Sequence, residues 1–226
     1  MTSDSSVEFV DLSHVIDDGM STYPGLPGPA ICDFMSFDES HSRYSEGTEF
    51  TIGRIDLVTN TGTYIDTPFH RYRDGHDLVG LELATISNVP GIVVRVATGT
   101  SKIDVSYFES IDPNGRAVLV NTGWDQHWRT EQYFVGHPYL TGDAATWLRD
   151  NGAVLVGIDS LNIDSIDTGE RPVHSILLRS GIPIIEHMTN LGALPDSGFE
   201  LSAVPPKISG LGTFPVRAHA RVGNVY

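Results

Sequence analysis

The chain has one cysteine, Cys32, in 226 residues. That excludes an intramolecular disulfide and any cysteine-rich zinc centre. Its neighbours Ile31 and Phe34 suggest a buried, inert thiol. Basic residues are scarce: 14 Lys and Arg stand against 29 Asp and Glu, a net charge of −15, with no basic run longer than two. Nucleic acid and anionic membrane surfaces need clustered cations, so neither is expected as a partner. No apolar stretch approaches the ~20 residues that cross a bilayer. Glycine-rich phosphate loops are missing, so a nucleotide cofactor is not indicated. The start, Met-Thr-Ser-Asp-Ser-Ser-Val-Glu, is acidic and lacks the basic-then-apolar pattern of a signal segment. A cytoplasmic location is the resulting expectation.

What is present is an ordinary globular composition, 40% hydrophobic and 19% charged. No repeat or low-complexity linker divides the chain, so the expected organisation is a disordered tail over residues 1–8 and one domain over 9–226. Phe9 to Leu12 reads as a short strand, and Met20 to Pro29 as a Gly/Pro-rich loop. Phe50 to Leu57 alternates apolar and polar residues, which predicts a half-buried strand. Residues 91–96, 117–120 and 153–158 are short β-branched runs of buried-strand type. Thr141 is placed to cap a helix through Leu148, with Gly152 as its stop. A second helix is expected over Val173 to Arg179, and a strand over Ile182 to Glu186, where Pro183 is tolerated only at an edge or the start. Strand-like runs broken by Gly210 and Gly212 fill residues 204–222. Strands outnumber helices, which places the chain in the mixed α/β (α+β) class.

The densest chemistry lies in Asn60-Thr-Gly-Thr-Tyr64-Ile-Asp66-Thr-Pro68-Phe-His70. Asp66 and His70 stand four apart after an apolar-alternating stretch, a plausible start to a metal or acid–base site. The plain alternative for Asp66 is a turn residue capping its own backbone. For His174, on a helix, it is a hydrogen-bonded core or surface histidine. Glu186 is less ordinary, because a carboxylate closing the apolar run Ile-Pro-Ile-Ile must be paired or sit at a site mouth. Tyr23, Phe69 and Trp124 can line an aromatic pocket or equally belong to the core. The remaining histidines have no partner spacing that sets them apart.

The run resembles the signature of the cyclase family of bacterial kynurenine formamidases and isatin hydrolases, His-x-Gly-Thr-His-x-Asp-x-Pro-x-His. Further landmarks in the same order support the resemblance: Asp11-Leu12-Ser13-His14 with Met20 and Tyr23-Pro24-Gly25, then Asp74-Gly75, Thr122-Gly123-Trp124, Gly157-Ile158-Asp159, and His174 followed by Glu186. The resemblance implies a swivelling β/β/α fold and a homodimer or homotetramer. It implies a metal set of Asp66, His70, His174 and Glu186. Asn60 and Tyr64 fall where the family has two further histidines. An amide oxygen is a poor zinc ligand and a phenol must first lose a proton near pH 10. At most one Zn or Mn, or no metal at all, is therefore expected.

Three functions follow from these residues. The first is a hydrolase cutting an amide-like C–N bond in a small aromatic formamide or lactam, with His70, His174, Glu186 and Tyr64 as catalytic candidates. The second is a metal-independent cyclase that closes or rearranges a ring in natural-product biosynthesis with the same acid–base residues on a polyketide-like or other cyclic substrate. The third is an inactive paralogue that keeps a small-molecule pocket built around Asn60, Tyr23, Phe69 and Trp124. Tyr64 has two roles open to it, filling space or donating a hydrogen bond to a developing oxyanion.

Overall fold

The computed structural model describes residues 7–223. The first part of the chain forms β1 (Glu8–Asp11), β2 (Ala30–Met35), α1 (Phe37–Arg43), β3 (Ile52–Asp56), β4 (Tyr64–Asp66), α2 (Pro68–Arg71) and β5 (Val89–Arg95). The middle adds β6 (Lys102–Ile103), β7 (Ala117–Asn121), β8 (Tyr139–Leu140), α3 (Gly142–Asp150), β9 (Leu155–Ile158), α4 (Pro172–Arg179) and β10 (Ile184–Glu186). The last strands are β11 (Ser197–Ser202), β12 (Thr213–Pro215) and β13 (His219–Val222).

Nine strands make one sheet in the order β1-β13-β11-β5-β7-β9-β10-β4-β12. Its centre, β5 to β10, is parallel, and antiparallel strands flank it on both sides. Parallel neighbours cannot be joined by a tight turn. Here α3 carries the chain from β7 to β9, and α4 carries it from β9 to β10. Side chains alternate between the two faces of the sheet. Val118, Val120, Val156 and Ile184 pack beneath Leu148 of α3 and Leu177 and Leu178 of α4. Leu119, Leu155 and Ile185 point the other way, into a core shared with Leu12, Leu191 and Phe199. Burial on both faces is why these strands read as unbroken apolar runs.

The expected central strands and both helices are present within a residue or two. Thr141 caps α3 by accepting the Ala144 N–H at 3.3 Å, and Gly152 follows with φ +82°. Pro183 precedes β10, which is an interior strand between β9 and β4. The expected tail falls largely on residues 1–6, outside the described residues, while Glu8 already pairs with Val222. β11 was not legible in Ser-Gly-Phe-Glu-Leu-Ser, because a bulge between Ser197 and Phe199 breaks its alternation.

Residues 30–56 depart furthest from expectation. β3 is exposed along its whole length instead of half-buried. It pairs only with β2, in a two-stranded ribbon outside the main sheet. Its alternation is genuine, but no layer lies beneath it in one chain. Cys32 sits on this ribbon and is exposed, not buried, for the same reason.

One close approach fixes the far edge of the sheet. A Cβ on Gly212 would lie 2.3 Å from His70 N and 2.6 Å from His70 Cα, so only glycine lets the segment before β12 reach α2. The Gly212 carbonyl accepts the Thr67 N–H at 2.7 Å across that approach. Gly212→Ala must separate backbone from backbone. The expected cost is that of overpacking, about 1–3 kcal/mol. At roughly 2–4 °C per kcal/mol for a chain of this size, thermal melting should show a clear drop, and an unchanged midpoint would refute the tight contact.

Candidate active site

The site is assembled by strand register. β4 lies between β10 and β12, pairing Tyr64 with Glu186 and Asp66 with both Ile184 and Thr213. Tyr64 and Asp66 are two residues apart and share one face, while Ile65 enters the opposite core. Thr67-Pro68 then turns the chain into the single turn of α2, with proline at a position that needs no N–H. That turn brings His70 back over Asp66, with Nδ1 3.5 Å from Oδ1.

The second histidine comes from α4. Asp164 accepts the N–H groups of Val173 at 2.8 Å and His174 at 3.0 Å, capping the helix from outside. Its Oδ2 also meets His174 Nδ1 at 2.7 Å. One carboxylate therefore both starts the helix and orients the ring. His174 Nε2 is left 3.6 Å from Asp66 Oδ2 and 3.5 Å from Glu186 Oε1.

Buried charge dominates this region. Asp66 and Asp164 are fully inaccessible, and Glu186 and His174 nearly so. Burial alone would lower the His174 pKa, but Glu186, then Asp164 and Asp66, outweigh it and hold the imidazole at about 10. Burial pushes Glu186 up to about 7, opposed by His174 and reinforced by Asp66. Tyr64 is raised well above its usual value by burial and then by Glu186. It stays a neutral phenol and donates to Glu186 Oε2 at 2.6 Å. The Ile163 N–H donates to Oε1 at 2.6 Å.

Asp66 Oδ1 accepts the Thr213 hydroxyl proton. With that proton spent, Thr213 Oγ1 accepts from His70 Nδ1 at 2.8 Å, which leaves Nε2 as the lone-pair nitrogen. Asp66 Oδ2 is buried and has no hydrogen-bond partner. An orphaned carboxylate oxygen in a dry pocket demands a cation. Ligand atoms of Asp66, His70 and His174 lie within 4.8 Å of one another. Two imidazoles and a carboxylate suit a divalent ion such as Zn or Mn, so the residues fit one metal. Glu186 stands beside this set, with both oxygens already engaged by Tyr64 and Ile163.

A cavity of about 220 Å³ opens over these groups, lined by Tyr23, Asn60, Tyr64, His70, His174 and Glu186 together with Leu26, Asn162, Ile166 and Arg171. Tyr23 donates to the Leu161 carbonyl at 2.7 Å and accepts from Asn162 at 2.7 Å. Two expected pocket aromatics lie elsewhere. Phe69 is turned away from its neighbour His70 by the helical rotation of about 100° per residue and is 38% exposed. Trp124 is drawn off by its indole N–H, which donates to the Tyr133 carbonyl at 3.0 Å. The landmarks around Trp124 and Asp159 form one structural knot, in which Asp159 accepts from Asn121, Thr122 and Gly123. Asp164, Asn162, Arg171 and Thr213 escaped the sequence reading. The first three lie in an aperiodic loop, and Thr213 reaches the site only through pairing of β12 with β4.

A family model described as "Putative cyclase" matches residues 10–165. The kynurenine formamidase of Bacillus cereus (strain ATCC 14579) is 28% identical over 218 residues, covering 95% of this chain and 97% of that protein. A solved structure described as a potential metal-dependent hydrolase with cyclase activity superposes with a TM-score of 0.80 at 24% identity, covering 97% of this chain and all of that one. An isatin hydrolase bound to the product analogue thioisatinate gives 0.80 at 23% identity, covering 96% and 93%.

One divalent ion per chain is the expected stoichiometry by metal analysis. Binding must displace the His174 proton, so at pH 7 uptake should release about one proton, and affinity should rise as pH rises toward 10. Calorimetry in buffers of different ionisation enthalpy reads this directly. Asp66→Asn should weaken binding by more than the roughly 10–100-fold typical of a lost outer-shell partner. Undiminished binding would remove Asp66 from the ligand set.

Proposed function

The chain belongs to the cyclase family, and on that footing we propose that it hydrolyses the C–N bond of a small aromatic formamide or lactam. The observation that carries this reading is the orphaned Asp66 Oδ2 beside His70 and His174. The names of the similar proteins, a kynurenine formamidase and an isatin hydrolase, support the same bond type.

Asp66, His70 and His174 would hold the ion. When bound, it supplies Lewis acidity for a carbonyl oxygen and makes water more acidic. The chain's own groups do the remaining work. Glu186 is the base that takes the proton of the attacking water and returns it to the departing nitrogen. Its carboxyl sits near neutrality, where proton transfer in both directions is effective. Tyr64 and the Ile163 N–H hold that carboxylate toward the cavity. Asp164 holds His174 so that its Nε2 faces the same space. Tyr23 and Asn162 brace each other and form the wall on which an aromatic ring can lie.

A second reading rests on Tyr64 itself. A dry phenol–carboxylate pair is an acid–base device that works without metal, as ring closure would require. Chelation separates the two readings. Hydrolysis of formanilide or a small lactam should stop in EDTA and return with Zn or Mn. Full turnover in EDTA would sink the hydrolase reading and favour the second, and a pocket that binds but never turns over would indicate an inactive paralogue. Glu186→Gln should lower kcat by about 10²–10⁴-fold, the usual worth of a general base. Tyr64→Phe gives a signed test. The phenol lowers the Glu186 pKa, so removing it raises that pKa, and the acid limb of the pH–rate profile should move to higher pH. A limb that stays put would take Glu186 out of the base role.

Assembly belongs to the same reading. An isolated two-stranded ribbon is at best marginally stable, yet β2 and β3 expose Ile31, Phe34, Ile52 and Ile55. A second copy in a homodimer or homotetramer would cover them. Sedimentation of a monomer at micromolar concentration would overturn that expectation.

A further inference from the structure

Arg171 is the one Arg or Lys among the residues that line the cavity. It precedes α4, three residues before His174. Its Nη1 donates to three backbone carbonyls, those of Ser165 at 3.0 Å, Thr168 at 2.8 Å and Glu170 at 2.7 Å. These bonds fix the plane of the guanidinium. They leave the other edge, Nε and Nη2, without a hydrogen bond or ion pair among the described residues. That edge presents two parallel N–H groups, the fork that matches the two oxygens of a carboxylate.

The chain carries 29 acidic residues against 14 basic ones, yet none of the described carboxylates lies within ion-pair distance of Arg171. The one carboxylate that lines the cavity, Glu186, lies beside His174 instead. Leu26 and Ile166, both exposed, and Tyr23 line the same cavity. The cavity thus offers acid–base groups, apolar surface and a cationic fork.

We propose that Arg171 is a specificity-determining residue that holds a carboxylate of the substrate, so that the preferred substrates are anionic aromatic amides. This deepens the proposed hydrolase reading and rests on it for the identity of the reacting bond. A monovalent, planar carboxylate suits the fork. A phosphate dianion would add charge to a cavity already lined by Glu186. A neutral formamide would leave the fork unpaired.

The test uses two probes that differ by one group, N-formylanthranilate and formanilide, titrated calorimetrically into the metal-loaded protein. The wild-type chain should bind the acid more tightly. Arg171→Gln should weaken the acid by about 10–100-fold, the worth of a charge-assisted hydrogen bond, and weaken formanilide by at least tenfold less. Arg171→Lys keeps the charge without the fork and should recover part of the preference. Equal weakening of both probes would mark Arg171 as a loop staple and overturn the proposal, as would failure of the acid to bind at millimolar concentration. Turnover of the same probes is read in parallel. An Arg171-dependent preference without turnover would overturn the hydrolase reading alone. Turnover with an Arg171-independent preference would overturn only the carboxylate site.

Discussion

Asp66, Asp164 and Glu186 are all buried and converge on one imidazole, His174. Three carboxylates taken out of water carry a desolvation cost of several kcal/mol each unless positive charge or hydrogen bonds offset it. The local structure is the set of devices that do so. Asp164 is satisfied by two helix N–H groups and a ring nitrogen. Glu186 is satisfied by a phenol and a backbone N–H. Asp66 has only the Thr213 hydroxyl on one oxygen and nothing on the other. The deficit is concentrated on a single atom, Oδ2, and that atom faces His174. A proton on His174 relieves it partly, and Glu186, then Asp164 and Asp66, together hold that imidazole at about 10. A divalent ion would relieve it more fully.

The same accounting explains what Tyr64 does in place of a histidine. A second ion near Glu186 would require a ligand with a free lone pair at residue 64. A buried phenol beside a carboxylate is far from losing its proton, so it can only donate. It therefore neutralises nothing, yet it satisfies Glu186 by hydrogen bonding and keeps that carboxyl close to neutrality. At this position the chain thus has a hydrogen-bond donor to Glu186 where a histidine would offer a lone pair.

Much of this was legible in the sequence where local periodicity and chemistry coincide. Asp66 and His70 sit four apart around a strand-ending Thr-Pro, and Glu186 closes a run too apolar to end in an unpaired charge. The buried central strands were legible because Val118, Val120, Val156 and Ile184 on one face and Leu119, Leu155 and Ile185 on the other are all apolar. What was not legible depends on register between distant segments. Thr213 meets Asp66 across 147 residues, and nothing in Gly-Leu-Gly-Thr marks it. Asp164 and Arg171 lie in a loop with no period, so their roles appear only once α4 is placed. The β2–β3 ribbon misled for the opposite reason: its alternation is sound, but alternation reports a face that wants covering, not whether the same chain supplies the cover.

Charge placement also gives the cavity a direction. Buried acidic groups call for a cation held among them, and Arg171, which lines the cavity with three of its five N–H donors unused, offers a second position for charge. The cavity thus meets two centres, the His70–His174 pair and the Arg171 guanidinium, with apolar surface from Leu26 and Ile166 in the same lining. A neutral, symmetrical ligand could enter such a cavity in either sense. A ligand with an anionic group at one end and an amide at the other can satisfy both centres in only one orientation, with the amide at Glu186. Orientation of that kind is worth more to a slow C–N cleavage than affinity, because it removes the entropy of finding the reactive pose before the barrier is climbed. The fold supplies it by fixing the guanidinium with three carbonyls of the loop that enters α4, the helix that also carries His174. Recognition and chemistry are therefore held on one rigid element, and the distance between them is set by less than one turn of helix.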